Sequence, residues 1–521
     1  MRHHTRSIAL ACWIALASLV IAGCGGAGAV MRAVGPILHG QPGPPWLGFA
    51  GNAQHTALSA EASQSLARIH WRTPVDLAPP YSQGHELFIH YGSPIVTQAD
   101  DVIVPVRTGS NNHFRVEGHS PINGALIWSA PTDYILPPHG WIPSFGPALT
   151  ASNLLLFPGA GGKLLVRDPD AVHSKLQMLV FYGLSQYQSD TAVYNANVDI
   201  DTPITTDSAG DAYFGFTVTG ATPAGLQSGI ARVAPDGTGT WVSAAAASGD
   251  ASMTEVTTNS APALSAGQQT VYVAVSNPSL GQFGKGYLLA LNSGTLATKS
   301  KVFLLDPQSG APAGMPDSGT ASPAVGPDGD VYFGVLEDPF PNHNDRGWLL
   351  HFDSTLAVTK TPGSFGWDDT PSIVPTTMVP SYSGTSSYLV MSKYNNYAGI
   401  GTGDGQNKIA VLDPNATQPD LVYGNPVMKE VVTILGVTPD PNNPGGVKEW
   451  CINSAAVDPA TDSVLANSED GYLYRWDLSS NSFTQRIRLT SGVGEAYTPT
   501  IVGADGQAYA VNNAVLFALG Q

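Results

Sequence analysis

The stretch Ser93-Pro94-Ile95-Val96 recurs along the chain as a Ser, Thr, Gly or Ala followed by Pro or Ala and two further small or apolar residues. Seven further copies begin at Gly146, Thr202, Ala261, Ser322, Thr370, Ser454 and Thr498. Each copy precedes a stretch rich in Val, Tyr, Phe and Leu, which favours a second strand. A spacing of about 58 residues is typical of propeller blades with lengthened loops. The repeat therefore predicts an all-β fold, an eight-bladed β-propeller.

A spare strand near the start of the chain should close this ring. Proline cannot donate to a strand ladder, so the repeated proline marks the first residue of an edge strand, as expected for the innermost strand of a blade. The eighth unit ends after residues 516–519 and is one strand short. Pairing residues 68–75 with it would remove two open edges. Residues 394–446, rich in Gly, Asn and Pro, should include extended surface loops.

Residues 1–23 have the features of a bacterial lipoprotein signal peptide, which must be excluded from the fold. A basic start precedes an apolar stretch that ends in Ile21-Ala22-Gly23-Cys24, which resembles a lipobox. This resemblance implies cleavage before Cys24 and lipidation of its thiol; an ordinary secretory signal is the alternative. Gly25 implies sorting to the outer membrane, facing the periplasm or the exterior. Residues 24–45 would form a flexible tether, and residues 46–521 the propeller.

The net charge argues against nucleic acid and anionic lipid as partners, and the cysteine content excludes an intrachain disulfide in the mature chain. The net charge is −17, and removal of the two arginines of the signal peptide makes it −19. Such an acidic surface argues against nucleic acid and anionic lipid as partners, apart from the lipid anchor itself. Only Cys451 remains in the mature body, so an intrachain disulfide is excluded. We expect a buried cysteine with a packing role.

The segment Trp46-Leu47-Gly48-Phe49-Ala50-Gly51-Asn52-Ala53-Gln54-His55-Thr56 resembles the motif that precedes the first blade in pyrroloquinoline-quinone-like repeat propellers. A second motif of that family, at the end of a blade, is matched in part up to Trp128, with Ser120 in place of the family's Asp. The resemblance covers most of residues 44–521 and implies structural roles for Trp128, Trp241 and Asp413.

Members of that family do different work, so the fold alone does not select a function. Its quinoprotein dehydrogenases carry adjacent cysteines against the quinone and a catalytic Asp, and this chain has no Cys-Cys pair. Pyrroloquinoline quinone is therefore not expected as a cofactor. We expect a non-enzymatic envelope lipoprotein that binds a protein partner, or a small-molecule or glycan ligand, at the top face or channel. The alternative is a quinone-dependent dehydrogenase or another exported enzyme.

Acidic residues precede seven of the eight repeat copies, and the segments before the copies should meet at one mouth of the axial channel. Aromatic residues lie in the same segments, and carboxylates beside aromatic rings suit Ca²⁺, cationic groups or sugars. The predicted ligand site consists of Asp199, Asp201, Asp368, Asp369 and Glu495. Mutual repulsion should raise some of their pKa values. The alternative is that these are solvated loop acids with no shared ligand.

Overall fold

The computed structural model describes residues 40–137, 145–277, 284–315, 321–494 and 496–521. Eight antiparallel sheets follow one another along the chain, each built from one copy of the repeat, so the predicted eight-bladed propeller is confirmed. The predicted signal peptide and Cys24 lie outside the described residues. Within these residues, no helix is long and apolar enough to cross a membrane.

Blades 1 to 4 each begin with a short inner strand and continue outwards. Blade 1 has Ile95–Val96, Val102–Arg107, His113–His119 and Leu126–Ile135. Blade 2 has Ala148–Leu149, Leu155–Pro158, Lys163–Arg167 and Gln177–Val180. Blade 3 has an inner strand in two pieces, followed by three more strands: Val198–Ile200, Thr205–Thr206, Ala212–Val218, Gly229–Val233 and Gly239–Ser243. Blade 4 repeats that arrangement with Glu255–Val256, Ala263–Leu264, Thr270–Ser276, Gly286–Asn292 and Thr298–Phe303.

Blades 5 to 8 also run from the inner strand outwards. Blade 5 has the three strands Ala324–Val325, Val331–Val335 and Trp348–Phe352. Blade 6 has Ser372–Pro375, Tyr388–Tyr394, Lys408–Pro419 and Pro426–Leu435. Blade 7 has Ala456–Asp458, Ser463–Asn467, Tyr472–Asp477 and Ser482–Arg488. Blade 8 has Ile501–Val502, Ala508–Asn512, Val515–Gly520 and, outermost, Arg68–Pro74. Short helical turns in the connections are Ala160–Gly162, Leu184–Ser189, Thr191–Asn197, Ala244–Ser248 and Thr376–Met378.

Blade 8 combines the two ends of the chain, as the spare strand predicts. Arg68–Pro74 pairs antiparallel with Val515–Gly520, in a register that sets Arg72 opposite Phe517. Trp71 is 7% exposed, and its indole N–H donates to the carbonyl oxygen of Pro121 in blade 1, at 2.7 Å. The closing strand therefore joins blade 8 to blade 1 across the seam of the ring.

The segment 394–446 includes the expected loops, and between them lies a hairpin that the sequence did not predict. Residues Lys408–Pro419 and Pro426–Leu435 pair with each other as the two outer strands of blade 6, and the register shifts twice along them. Such bulges insert extra residues into one strand and bend it. The Gly, Asn and Pro content that suggested loops belongs instead to the connections on either side of this hairpin.

The roles expected of Trp128 and Asp413 are confirmed by their contacts. The indole N–H of Trp128 donates to the Pro169 carbonyl oxygen of the next blade, at 2.7 Å. The Asp413 carboxylate accepts hydrogen bonds from the Tyr382 hydroxyl, at 2.8 Å, and from the Asn415 backbone N–H, at 2.9 Å. Both side chains thus hold strands and turns together within the ring.

Residues 46–64, which we call the N-terminal arm, run along the inner strands of almost the whole ring. Carbonyl oxygens of the arm accept hydrogen bonds from inner-strand N–H groups of six blades; these donors are Val96, Leu149, Leu264, Val325, Ile373 and Val457. Trp46 forms a bridge with Val96, and the Gln64 N–H donates to the Gly506 carbonyl oxygen. The motif that resembles the family's first motif therefore closes one end of the axial channel.

The side chain of His55 fixes the middle of the arm. Its Nδ1 donates to the Pro323 carbonyl oxygen at 2.7 Å, so Nε2 is the unprotonated nitrogen that faces the Thr205 hydroxyl at 3.4 Å. Burial lowers the pKa of His55 to about 4, which keeps the ring neutral. The arm lies at the end of the channel where the inner strands turn into the second strands. We call this end the turn face and the opposite end the mouth.

We expect the seam to limit the stability of the ring. Trp71→Ala removes a buried indole and its hydrogen bond, and should lower the free energy of unfolding by about 3–5 kcal/mol. Leu126→Ala, at a position 47% exposed in blade 1, should change it by less than about 0.5 kcal/mol. Urea titrations followed by far-ultraviolet circular dichroism measure both. Equal effects of the two substitutions would contradict a limiting seam.

Candidate functional site

The mouth of the channel holds a small cavity to which several blades contribute. Its volume is about 40 Å³, which is room for a few water molecules. Phe49 of the N-terminal arm forms its floor. The walls come from the segments that precede the repeat copies, and the polar and aromatic ones are His90, Tyr91, Ser93, Phe145, Asn259, Asn453 and Tyr497. The mouth is thus a blind pocket with aromatic walls, because the arm closes its other end.

Lys393 is a buried charged group behind the wall of the mouth, in contact with Tyr497, and the sequence interpretation missed it. It lies on the second strand of blade 6, is fully buried, and donates from Nζ to the Tyr497 hydroxyl at 2.9 Å. The ammonium also lies 4.3 Å from the centroid of the Tyr497 ring and 5.5 Å from that of Phe365. His90 stacks on Tyr497, with 3.9 Å between the ring centroids. A cation–aromatic contact of this kind is strengthened by burial.

Asp368 and Asp369 lie beside this lysine. The Asp369 carboxylate accepts a hydrogen bond from the Ser392 hydroxyl at 2.8 Å. Burial raises the pKa of Asp369 to about 7, with Asp368 acting in the same direction and Lys393 opposing it. Asp368 borders a second small cavity that also has Thr257 and Trp367 in its walls. Two of the predicted residues therefore meet at the mouth, but a cation of the protein already accompanies them.

Asp199 and Asp201 form a second acidic pair, in blade 3. Burial raises the pKa of Asp199 to about 7. Burial also raises the pKa of Asp201 well above its ordinary value, and Glu255 and Asp199 add to this effect. Asp201 is 2% exposed, and its Oδ1 has no hydrogen-bond partner among the described residues. Within that part of the chain no basic group contributes to either pKa shift, which distinguishes this pair from Asp369 beside Lys393.

The predicted site is therefore resolved into two pairs rather than one ring of acids. The fold brings Asp199 to Asp201 and Asp369 to Asp368, and the pKa of each pair depends on groups of its own surroundings. Glu495 lies outside the described residues. Burial, and not mutual repulsion, is the largest cause of each raised pKa. Whether the carboxylates share one ligand stays a prediction.

A third acidic group lies on the same rim, around the buried Cys451. The thiol donates to the Glu469 carboxylate at 3.4 Å, and one ligand atom from each of Glu449, Cys451 and Glu469 lies within 4.8 Å of the other two. Lys448 is 3.9 Å from the same Glu469 carboxylate. The expected burial of Cys451 is confirmed, and its thiol has a hydrogen-bonding role besides its packing.

Comparison with known proteins identifies the fold. No family model matches the chain, and no curated protein matches it. A europium-containing methanol dehydrogenase superposes with a TM-score of 0.55 at 11% identity, over 90% of this chain and 89% of that one. A quinohemoprotein alcohol dehydrogenase from Pseudomonas putida superposes with a TM-score of 0.51 at 13% identity, over 92% of this chain and 76% of that one. This chain shares their eight-bladed fold. The predicted likeness to pyrroloquinoline-quinone-like propellers is thereby confirmed at the level of the fold.

A third similar structure is BamB from Moraxella catarrhalis, with a TM-score of 0.45 at 12% identity, over 87% of this chain and 99% of that one. All three identities are low, so the superpositions concern the course of the backbone. The residues of the mouth must be interpreted by their own chemistry.

The buried carboxyl of Asp199 makes stability depend on pH in a direction that can be measured. In the folded protein its pKa is about 7, against an ordinary 3.8, so the folded state holds the proton more tightly than the unfolded state. Wild-type protein therefore loses stability as the pH rises through 7, whereas Asp199→Asn does not titrate. The melting temperature of wild type relative to this variant should fall by about 1–2 °C between pH 5 and pH 8.5.

The exposed Asp236 provides the control, because a backbone hydrogen bond from Thr238 lowers its pKa instead. Its stabilising effect is complete above the ordinary carboxyl pKa, so the difference between wild type and Asp236→Asn should stay constant over the same interval. Thermal melts of the three proteins at both pH values make the comparison. Parallel curves for wild type and Asp199→Asn would contradict a raised pKa.

Proposed function

We propose that this chain is a non-enzymatic lipoprotein of the bacterial cell envelope whose propeller binds a protein partner or a small ligand at the mouth. The observation that carries the proposal is the closed turn face: the N-terminal arm crosses the inner strands there, which leaves the mouth as the accessible end of the channel. Aromatic rings line the cavity at that end, and the segments before the repeat copies carry carboxyl groups whose pKa values are raised to about 7. Such a surface suits hydrogen bonding and cationic groups.

Apolar side chains on the same side of the ring support a macromolecular partner. Leu77, Tyr81 and Phe88 lie between the closing strand and the first repeat copy, and each is 44–47% exposed. Exposed aromatic residues beside a polar pocket are typical of protein interfaces, where they supply apolar contact area. A cavity of about 40 Å³ also suits one inserted side chain or functional group better than a whole ligand of the usual size.

The first described residues lie at the turn face, which is consistent with a tether attached on the side opposite the mouth. The Gly43 N–H donates to the Gln98 carbonyl oxygen at 3.1 Å, in the turn between the inner and second strands of blade 1. A tether over residues 24–45 would thus join the propeller at its turn face.

Site-specific crosslinking tests the mouth as the binding surface. A photo-reactive benzoylphenylalanine at Phe88 should give discrete crosslinked products in intact cells. The same group at Leu421, 63% exposed in the turn between the outer strands of blade 6, is the matched control and should give none. Mass spectrometry identifies the captured molecule. Equal products from both positions, or products from Leu421 alone, would contradict a partner at the mouth.

Lipidation is tested separately by metabolic labelling with a clickable fatty acid. Wild-type protein should incorporate the label and remain with the membrane fraction, because the thiol of Cys24 is the proposed acceptor. Cys24→Ala should lose both properties, while Cys451→Ala keeps them, since that thiol is buried in the propeller. Equal labelling of wild type and Cys24→Ala would exclude this anchor.

An exported enzyme is the second candidate, favoured by the raised pKa of Asp369 next to the Lys393 ammonium. A carboxyl group with a pKa of about 7 is suited to proton transfer at neutral pH. Pyrroloquinoline quinone does not fit the described mouth, however, because this three-ring tricarboxylate is far larger than the cavity of about 40 Å³. We therefore derive no step through that cofactor.

Dye reduction distinguishes the two candidates. Pure protein is mixed with pyrroloquinoline quinone and Ca²⁺ and assayed over alcohols and sugars, with Lys393→Met as the control for a reaction at the mouth. A binding protein should show no turnover above the cofactor alone. Turnover by wild type that is lost in Lys393→Met would reverse the order of the two candidates.

A further inference from the structure

A second group of acidic side chains lies on the turn face, at the opposite end of the channel from the mouth. Asp100 belongs to the turn between the first two strands of blade 1, and Asp505 to the equivalent turn of blade 8. The Asp100 Oδ1 accepts a hydrogen bond from the Ala504 N–H at 2.9 Å, so the two turns are in direct contact across the seam. Asp100 is completely buried.

The two carboxylates and a phenol surround one point of this seam. A Cβ atom placed on Gly503 would lie 3.2 Å from Asp100 Oδ1, 3.4 Å from Asp505 Oδ1 and 2.9 Å from Cε2 of Tyr509. Gly40 covers the other side of the cluster so closely that a Cβ there would overlap Asp100 Oδ2. The chain that leads into the N-terminal arm thus covers the buried Asp100.

Three oxygen atoms of this cluster have no hydrogen-bond partner among the described residues. They are Asp100 Oδ2, the amide oxygen of Gln507 and the hydroxyl of Tyr509. Gln507 is 5% exposed, and Tyr509 is fully buried. Buried polar atoms in native proteins are almost always satisfied, and a gap between polar groups points to an occupant that joins them. The Tyr509 hydroxyl interacts electrostatically with Asp100, Asp101 and Asp505, yet it forms no hydrogen bond with any of them.

The charge of the cluster indicates what kind of occupant it takes. Asp100 and Asp505 bring two carboxylates to this seam, and the first of them is completely buried. A water molecule would satisfy the hydrogen bonds but would leave the negative charge uncompensated. A cation compensates it and takes the unpartnered oxygens as ligands.

We propose that the carboxylates of Asp100 and Asp505, with the oxygens of Gln507 and Tyr509, form a Ca²⁺ site that joins blade 8 to blade 1. All the donors are oxygens, which selects a hard cation, and they come from two turns and a strand in an irregular arrangement. Ca²⁺ accepts such variable geometry, whereas Mg²⁺ demands a near-ideal octahedron and keeps most of its water. Zn²⁺ would favour nitrogen or sulfur ligands. The site is independent of the mouth and of the proposed function.

Thermal melts at pH 8 test the site with Ca²⁺ itself as the probe. Protein freed of metal by a chelator is melted without and with 1 mM Ca²⁺. A cation that binds the folded state alone raises the melting temperature by mass action. Wild type and Asp236→Asn, which alters an exposed turn of blade 3, should show the same rise, and Asp505→Asn should show none. Isothermal titration should count one fewer Ca²⁺ ion in Asp505→Asn than in wild type.

Tyr509→Phe provides a second test of the site in case Asp505→Asn does not fold. It keeps the buried ring and removes one ligand oxygen, so it should fold like wild type and weaken Ca²⁺ binding severalfold. The proposal is overturned if 10 mM Ca²⁺ leaves the wild-type melting temperature unchanged. It is equally overturned if Asp505→Asn and Tyr509→Phe both bind Ca²⁺ as wild type does.

Discussion

Antiparallel pairing of Arg68–Pro74 with Val515–Gly520 is the constraint on which the rest of this structure depends. A propeller blade buries each of its faces against a neighbour, so an unclosed ring would expose one face of blade 1, one face of blade 8 and the edge of Val515–Gly520. The closing strand also fixes the chain that precedes it. With Trp46 paired to Val96 and residues 68–74 in blade 8, the intervening arm must cross the ring, and it does so along the inner strands. The path of the arm thus determines which end of the channel stays accessible.

Local sequence patterns were sufficient to predict the number of blades, the inner and second strands of each blade, and the closing strand. Each of these depends on residues close in sequence, such as the proline at the start of an inner strand, or on a simple shortage of one strand at Leu519. The hairpin of Lys408–Pro419 and Pro426–Leu435 was missed because bulges interrupt its alternation of apolar and polar residues. The crossing of the arm was missed because most of its hydrogen bonds to the inner strands join backbone groups. Such bonds can be made by almost any residue type, so the sequence does not reveal them.

The candidate site was predicted less well, because local sequence patterns do not show which residues of different blades lie close together in the fold. The acids before the repeat copies do reach the mouth in blades 3 and 6, yet their pKa values rise chiefly through burial. The sequence did contain a signal for the missed cation. Lys393 is a charged residue inside Tyr388–Tyr394, a strand that is otherwise apolar or small and buried throughout. A charge in such a position must have partners, which are the Tyr497 hydroxyl and the neighbouring carboxylates.

The position of Lys393 also bears on where a ligand cation would bind. Its ammonium already occupies the aromatic surface of Tyr497 and partly offsets the charge of Asp369. A cationic group that entered beside Asp369 would have to displace a lysine tethered to the protein, at an effective concentration that an external ligand rarely reaches. Among the described residues, no basic group contributes to the pKa of Asp199 or Asp201, and Asp201 Oδ1 lacks a hydrogen-bond partner. Blade 3 is therefore the side of the mouth where a cationic group of a partner would meet no competing lysine and could supply the missing hydrogen bond to Asp201 Oδ1.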